Sequence, residues 1–264
     1  NPKLNGDPAF FNFFDRYNSR LVLRQYTYST TNLLPNRIID PQGNWAAPLY
    51  NETWTGIANL HGVASKGRWL FGTGYDLSKL CVIDMDNGYK QKHEYNFPDA
   101  FSRIEGFHYD GTYHGEALTV GTDGYLYALF YINKGSGYTE YYESVVVQFE
   151  IDDENGKLTL INYVTVGKNS FTLDLYDNKL YVCSLGGMQN AGTGNADTNF
   201  CIVDTNNFEQ SGVTTVQIQN PAQNGDIRDI SIIDPNHVYI FAGHYDAGFA
   251  NMIGAVYHTT LANI

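Results

Sequence analysis

The sequence predicts an all-β protein built from repeated antiparallel sheets, and three observations support this prediction. Short runs rich in Val, Ile, Tyr and Phe alternate with turns rich in Gly, Asn, Asp and Pro, which is the pattern of strands and tight turns. The apolar spacing of an amphipathic helix is nearly absent. Similar strand runs and turns also recur along the chain, which is typical of a repeat architecture.

The first two strands of each repeat can be aligned in four places. Each unit has a strand, a tight turn that ends in Gly or Asn, and a second strand in which aromatic and aliphatic residues alternate. Gly and Asn accept the positive φ that such turns require. The four units are residues 60–71, 117–128, 171–182 and 229–240.

A third and a fourth strand follow these pairs. Leu-Cys-Val-Ile-Asp at 80–84 closely matches Phe-Cys-Ile-Val-Asp at 200–204, and residues 146–152 occupy the corresponding place. Acidic or Asn-rich turns come next, and they lead to fourth strands at 89–96, 158–166 and 213–219. Four antiparallel strands per unit of about 50 residues are typical of a propeller blade.

The chain therefore resembles a β-propeller over residues 57–264, with at least four four-stranded blades. The resemblance is one of architecture, because neither a Trp-Asp signature nor a kelch double-glycine pattern is present. Two alternatives stay open. One is a β-sandwich, which explains the strands but not their four-fold repetition, and the other is a fragment of a larger propeller.

We expect residues 1–264 to form a single domain that begins with an irregular segment, 1–56, and part of a fifth blade could lie within residues 29–56. The last blade shows only three evident strands, so we expect the strand-like residues 20–28 to supply its outer strand and close the ring. Closure would remove an exposed sheet edge. The predicted blades are approximately residues 57–97, 114–167, 168–220 and 226–264.

Composition and charge exclude several classes of protein. Of the 264 residues, 17% are charged and 15% aromatic, whereas ordinary globular domains carry about 25% charged residues, so disorder and coiled coils are excluded. The 16 basic and 28 acidic residues give a net charge of −12. We therefore expect no nucleic-acid partner, because phosphate binding needs a basic surface. No apolar run approaches the roughly 20 residues of a membrane-spanning helix.

The scarcity of Lys, the many Tyr and Asn residues and the acidic balance predict a secreted, periplasmic or cell-surface protein. Residues 1–20 show no basic start followed by an apolar core, so we expect no signal peptide in the sequence as given. The three cysteines, Cys81, Cys183 and Cys201, cannot form a complete internal disulfide framework because their number is odd. We expect all three to be buried thiols that pack as small hydrophobic groups.

The propeller architecture selects a set of candidate site residues. The innermost strands line the central axis, and one face carries both the loops that lead into these strands and the loops that join the second and third strands. Residues from different blades converge there. The ligand-binding candidates on this face are His61, Asp76, His108, His114, Glu116, Arg228, Asp229, His244 and Asp246.

This mixture of imidazole, carboxylate and guanidinium groups predicts a polar pocket, although each side chain would otherwise serve to cap strand ends and turn amides. We expect a binding propeller that recognises a small molecule, a carbohydrate or a protein. An alternative is a metal-assisted hydrolase or lyase, in which His61, His114 and Glu116 hold a divalent cation. Imidazole with carboxylate suits zinc, and carboxylates with amides suit calcium. A third hypothesis is a fragment or subunit that associates with another chain.

Overall fold

The strands expected from the alternating apolar runs are present in the structure, a computed structural model. It describes residues 9–15, 20–25, 37–39, 60–74, 78–88, 90–101, 104–135, 140–186, 199–217, 226–246 and 251–264. Side chains are described from residue 61 onwards, apart from those of residues 199, 217, 226, 244, 245 and 252. Helical structure in these ranges is limited to four short 3-10 turns, and no helix there is long and apolar enough to cross a membrane.

Within the described ranges the chain forms five antiparallel sheets, each a meander in chain order. Sheet 1 consists of β1 (Ala9–Asp15), β2 (Arg20–Gln25) and β3 (Arg37–Ile39). Sheet 2 consists of β4 (Leu60–Lys66), β5 (Trp69–Gly74), β6 (Lys79–Asp84) and β7 (Lys90–Asn96). Sheet 3 consists of β8 (Gly111–Val120), β9 (Leu126–Lys134), β10 (Tyr141–Ile151) and β11 (Leu158–Lys168). Sheet 4 consists of β12 (Ser170–Tyr176), β13 (Lys179–Ser184), β14 (Asn199–Asp204) and β15 (Val213–Gln217). Sheet 5 consists of β16 (Asp226–Asp234), β17 (His237–Tyr245) and β18 (Met252–Thr259).

The first strands of the five sheets lie beside one another in chain order: β1 contacts β4, β4 contacts β8, β8 contacts β12 and β12 contacts β16. Each remaining strand pairs with its neighbours in the chain and extends its sheet outward. Successive antiparallel meanders arranged around shared innermost strands form a β-propeller. The predicted fold class is therefore confirmed.

Each pair of neighbouring sheets from sheet 2 to sheet 5 buries its own apolar cluster. Alternation along each strand sends one set of side chains to each face of the sheet, which is why a sheet in the middle of the series contributes to two clusters. Examples of facing residues are Phe71 with Phe130 between sheets 2 and 3, Leu129 with Val182 between sheets 3 and 4, and Phe200 with Ile240 between sheets 4 and 5.

Acidic residues after the third strands have a local structural role. Asp84, Asp152 and Asp204 each accept a hydrogen bond from the backbone N–H two residues further on, at 3.1, 2.9 and 2.9 Å. An aspartate that bonds its own downstream backbone stabilises a tight turn. The repeated acidic turns of the sequence are therefore turn caps that lead from the third strand to the fourth.

The structure corrects the expected ring closure. Residues 20–25 do form a strand, but β2 pairs with β1 on one edge and with β3 on the other. Both of its edges are hydrogen-bonded, so it cannot be the outer strand of sheet 5. Among the described residues β18 pairs with β17 alone. The N-terminal segment, which we expected to be irregular apart from this strand, contains a sheet of its own.

Sheet 5 also exposes an unusual amount of apolar surface. Five large hydrophobic side chains are exposed in the described part of the chain, and four of them belong to this sheet: Ile233, Tyr239, Ile253 and Val256. Ile233 and Val256 are each 65% exposed. The side of sheet 5 that packs against sheet 4 is buried, so the exposed residues mark the sheet as one end of the described series.

Sheets 2 and 3 approach very closely at two glycines. A Cβ atom on Gly62 would lie 2.6 Å from the Glu116 carbonyl oxygen and 2.9 Å from the Ala117 Cα atom. A Cβ atom on Gly115 would collide with the side chain of Thr73. The Thr73 hydroxyl accepts the Gly62 N–H at 3.0 Å, and all of this contact is buried. Neither position tolerates a side chain without displacement of the opposite strand.

The substitution Gly62→Ala tests this contact. We expect it to lower the free energy of unfolding by about 1–3 kcal/mol, the usual cost of overpacking a well-filled interior, as measured by urea denaturation. Gly67→Asn is the matched control, because Gly67 has open space around it and a φ of 54° that Asn accepts. Equal stability of the two variants would contradict the close approach.

The cysteines are free and buried, as predicted. Cys183 and Cys201 lie on the paired strands β13 and β14, but in register Cys183 faces Phe200 and Cys201 faces Val182. Desolvation by burial raises the pKa of Cys81 and of Cys183 to about 12. Neither thiol is therefore ionised at neutral pH, and a nucleophilic role is not supported.

Thiol titration measures this burial directly. At pH 8 we expect an aromatic disulfide reagent to react with the folded protein only at the rate of unfolding, because the thiolate is the reactive species. After addition of guanidinium chloride, all three cysteines of the chain should react within the mixing time. Rapid reaction of one thiol in the folded protein would contradict the assigned burial.

Candidate functional site

The innermost strands of sheets 2 to 5 share a backbone irregularity at corresponding places. In each of them the pairing register shifts by one extra residue relative to the second strand of the sheet. The shifts lie between Leu60 and Val63, between Gly115 and Leu118, between Ser170 and Thr172, and between Ile227 and Asp229. A bulge of this kind changes the direction of the side chains that it contains. The polar or aromatic residues within the four shifts are His61, Glu116, Phe171 and Arg228.

Three of these residues meet. The His61 Nδ1 atom lies 2.8 Å from the Glu116 Oε2 atom, although the two residues belong to different sheets and are far apart in the sequence. The Phe171 ring approaches His61 edge-on, with 6.0 Å between the ring centroids and an angle of 77° between the planes. The contacts join β4, β8 and β12, which are three consecutive innermost strands. We call His61, Glu116 and Phe171 the axial cluster.

The two polar members of the axial cluster differ in how deeply their side chains are buried. The Glu116 side chain is fully buried, whereas the His61 side chain is 17% exposed. A buried carboxylate is costly unless it is paired, and the His61 imidazole lies within ion-pair distance of this one.

His114 is buried, and its ring stacks on Tyr131 with 4.5 Å between centroids and 8° between planes. Within the described ranges no group of three or more His, Cys, Asp or Glu side chains is arranged to hold a metal ion. In the described structure His61, His114 and Glu116 therefore do not form the three-ligand site that the sequence suggested. The His114 ring stacks on a residue of its own sheet, whereas Glu116 lies against His61 of the neighbouring sheet.

Arg228 and Asp229 lie at the contact between sheets 4 and 5. The Arg228 Nε atom donates to the Gly243 carbonyl at 2.9 Å, and the Arg228 carbonyl accepts from the Thr172 hydroxyl at 3.2 Å. Asp229 is partly exposed, yet the surrounding protein desolvates its carboxylate and the negative charge of Asp174 adds to this, so its pKa is raised. The described contacts of these two residues do not include the axial cluster.

The remaining candidates occupy other places. The His108 ring stacks on Tyr142 with 3.6 Å between centroids, and the Tyr142 hydroxyl donates to Asp110 at 2.7 Å. Asp246 accepts a hydrogen bond of 2.7 Å from the Asn251 side chain. Asp76 and the side chain of His244 lie outside the described part of the structure.

Sequence reasoning missed Phe171 as a site residue, although it placed this residue at the start of an innermost strand. The dipeptide His-Gly, which occurs at 61–62 and at 114–115, was an available signal for the close approach of β4 and β8. No signal in the sequence indicated the register shifts, because a bulge depends on how two strands pair.

The ring-nitrogen signals of His61 are a direct readout of the axial pair. In Glu116→Leu the carboxylate 2.8 Å from the His61 Nδ1 atom is lost, and we expect the chemical shift of that nitrogen to change. Nitrogen NMR of labelled histidine at pH 8 measures the change. His237 serves as the internal control, because its Nδ1 atom lies 2.8 Å from Asp234 in sheet 5 and its signals should not move. An unchanged Nδ1 signal of His61 in Glu116→Leu would contradict the pair.

Known proteins resemble this chain in fold alone. No protein-family model matches the chain. No curated protein matches it either. Among solved structures it is similar to AztD from Citrobacter koseri, with 14% identity over 92% of this chain and 57% of that chain and a TM-score of 0.41. It is also similar to a glutaminyl cyclase from Myxococcus xanthus, with 12% identity, coverage of 96% and 95%, and a TM-score of 0.40. A third match is the WD40 domain of SCAP from fission yeast, with 10% identity, coverage of 96% and 51%, and a TM-score of 0.48.

The chain spans about six-tenths of the length of the two matched AztD structures and of a Desulfotomaculum acetoxidans protein of unknown function, at 57%, 58% and 61%. With identities this low and TM-scores below 0.5, these similarities assign neither a family nor an activity.

Proposed function

We propose that this chain is a binding propeller and that its axial cluster contacts a small polar ligand. One observation supports the proposal above the others. A fully buried glutamate holds a partly exposed histidine at 2.8 Å, at a point where three innermost strands meet. In this arrangement His61 is the residue that contacts the ligand, and Glu116 is a positioning residue that fixes the orientation of the imidazole.

The energetic cost of burying Glu116 supports a functional role for the pair. Burying a carboxylate and its partner adds little stability compared with apolar residues of the same volume. The apolar clusters between the sheets already supply the packing. Bulges occur preferentially beside functional sites, where they redirect side chains, and here they contain all three members of the axial cluster. Phe171 adds an apolar edge on which the carbon skeleton of a ligand can pack.

A hydrolase or lyase is the second candidate function, and the same contact favours it. A buried carboxylate 2.8 Å from a histidine ring is an arrangement that suits general-base catalysis, because the carboxylate favours the imidazolium form of the ring. In this version His61 removes a proton from the bound substrate and Glu116 stabilises the resulting imidazolium. The two functions share the site and differ in whether the ligand is released unchanged.

We extend the proposal to an exported or cell-surface location, which the acidic and tyrosine-rich composition supports. Fractionation of cells of the source organism, followed by detection of the chain, tests the location independently of the ligand.

Thermal-shift screening tests the axial site. The panel contains amino acids, small dicarboxylates and nucleosides, each applied to the unmodified protein and to His61→Ala. A ligand at about 100 times its Kd stabilises by about 2.7 kcal/mol, which is a rise in Tm of several degrees for a chain of this size. We expect His61→Ala to lose at least about tenfold in affinity, the value of one or two good hydrogen bonds.

The matched control is His237→Ala, which removes an exposed histidine that also contacts a carboxylate. It should retain full affinity. Mass analysis of the recovered compound separates the two candidate functions, because only an enzyme converts it. A panel with no stabilising compound, or compounds that bind His61→Ala unchanged, would argue against the axial site.

A further inference from the structure

A cavity of about 310 Å³ lies apart from the axial cluster, where the ends of sheet 2 meet the start of sheet 3. Pockets for small ligands begin at roughly this volume, so the cavity has room for one ring-sized molecule. Its walls combine aromatic rings with polar groups, including Ser78, Lys79, Asn96, Phe97, Tyr109 and Tyr113. Tyr113 and Glu116 share β8, three residues or about 10 Å apart along the strand, so the two places are neighbours but not one site.

Hydrogen bonds between side-chain hydroxyls and backbone groups hold the two tyrosines that line the cavity. The Tyr113 hydroxyl accepts the His108 N–H at 3.1 Å, and the Tyr113 carbonyl accepts from the Ser78 hydroxyl. The Tyr109 hydroxyl accepts the N–H of Ile104. A ring that is fixed before the ligand arrives loses little conformational entropy on binding. The cavity is therefore preorganised on its aromatic side.

Phe97 adds a third fixed ring. It is 2% exposed, and it stacks on Phe130 with 4.1 Å between centroids and 9° between planes. Phe130 belongs to the core between sheets 2 and 3, so this wall of the cavity is continuous with the protein interior. This wall of the cavity is therefore apolar and rigid.

The charges at the cavity disfavour an anion. The Lys79 ammonium donates a hydrogen bond of 2.6 Å to the Glu94 carboxylate. This bond lowers the pKa of Glu94, and it outweighs partial burial, which raises it. The positive charge is thereby compensated. Asp99, which also lines the cavity, is exposed and adds a negative charge. The exposed amide of Asn96 offers both donors and an acceptor. These groups suit neutral hydroxyl groups better than a carboxylate or phosphate.

We propose that this cavity binds the ring of a neutral pyranose sugar, either a free monosaccharide or the terminal residue of a glycan. A pyranose has an apolar face of C–H groups and a rim of hydroxyls. The partly exposed Tyr109 ring, next to the buried Phe97 and Tyr113 rings, suits the face, and Asn96, Lys79 and Asp99 suit the rim. The volume admits a single ring, so specificity is for one sugar unit. The proposal is independent of the axial ligand.

Titration calorimetry on the full chain tests the proposal. The probes are the methyl glycosides of glucose, galactose and mannose, with sodium glucuronate as the charged counterpart and glycerol as a polyol without a ring. Cellobiose and maltose distinguish a terminal glycan unit from a free sugar. We expect at least one methyl glycoside to bind with a Kd in the millimolar range or below, glucuronate to bind at least tenfold more weakly, and glycerol not to bind.

Variants locate the binding. Asn96→Ala removes an exposed side chain, which leaves folding intact, and we expect a loss of affinity of about tenfold, the value of about one hydrogen bond. Tyr109→Leu removes an aromatic wall and should abolish measurable binding. The matched controls are Asn236→Ala, in an exposed turn of sheet 5, and Tyr239→Leu, an exposed tyrosine on β17. Both should bind as the unmodified protein does.

His61→Ala separates this cavity from the axial site. Sugar binding that is retained in His61→Ala and lost in Asn96→Ala supports the proposal. Sugar binding that is lost in His61→Ala and retained in Asn96→Ala would assign the sugar to the axial cluster and overturn it. Absence of binding by all three methyl glycosides, or equal binding of glucuronate, would overturn it as well.

Discussion

The site depends on how closely β4 and β8 approach each other. Gly62 and Gly115 have no side chain, so the backbones of sheets 2 and 3 come within contact distance. The Thr73 hydroxyl accepts a hydrogen bond from the buried Gly62 N–H. His61 and Glu116 are the neighbours of these glycines in the chain. Their side chains reach each other across the boundary between two sheets only because the backbones are so near. The two glycines therefore bring together two side chains that are far apart in the sequence.

Apolar packing and polar contacts meet on the innermost strands of this molecule. The apolar clusters lie between the faces of neighbouring sheets, and aspartate caps hold the outer turns. Beside their bulges the innermost strands contribute Leu118 and Ile227 to these clusters, and the same strands carry His61 and Glu116. The polar pair is therefore held on strands that the apolar clusters fix in place.

The fold was largely predictable because its signals are local. Alternating apolar runs and turn-capping aspartates each depend on residues close together in the chain, and they identified the strands of sheets 2 to 5. Long-range pairing was not predictable. The strand at 20–25 was recognised, but nothing in its sequence showed that β1 and β3 would occupy both of its edges. His61 and Glu116, selected from their place on innermost strands, lie 2.8 Å apart, whereas the ring of His114, two residues from Glu116, stacks on Tyr131.

The four equivalent bulges have a consequence for redesign. The extra residue is a property of the backbone, and the same insertion accommodates imidazole, carboxylate, phenyl and guanidinium side chains in sheets 2, 3, 4 and 5. Each of these four sheets therefore offers one such bulge position near the centre of the propeller. A library that varies these four positions together would sample many chemistries on a constant frame.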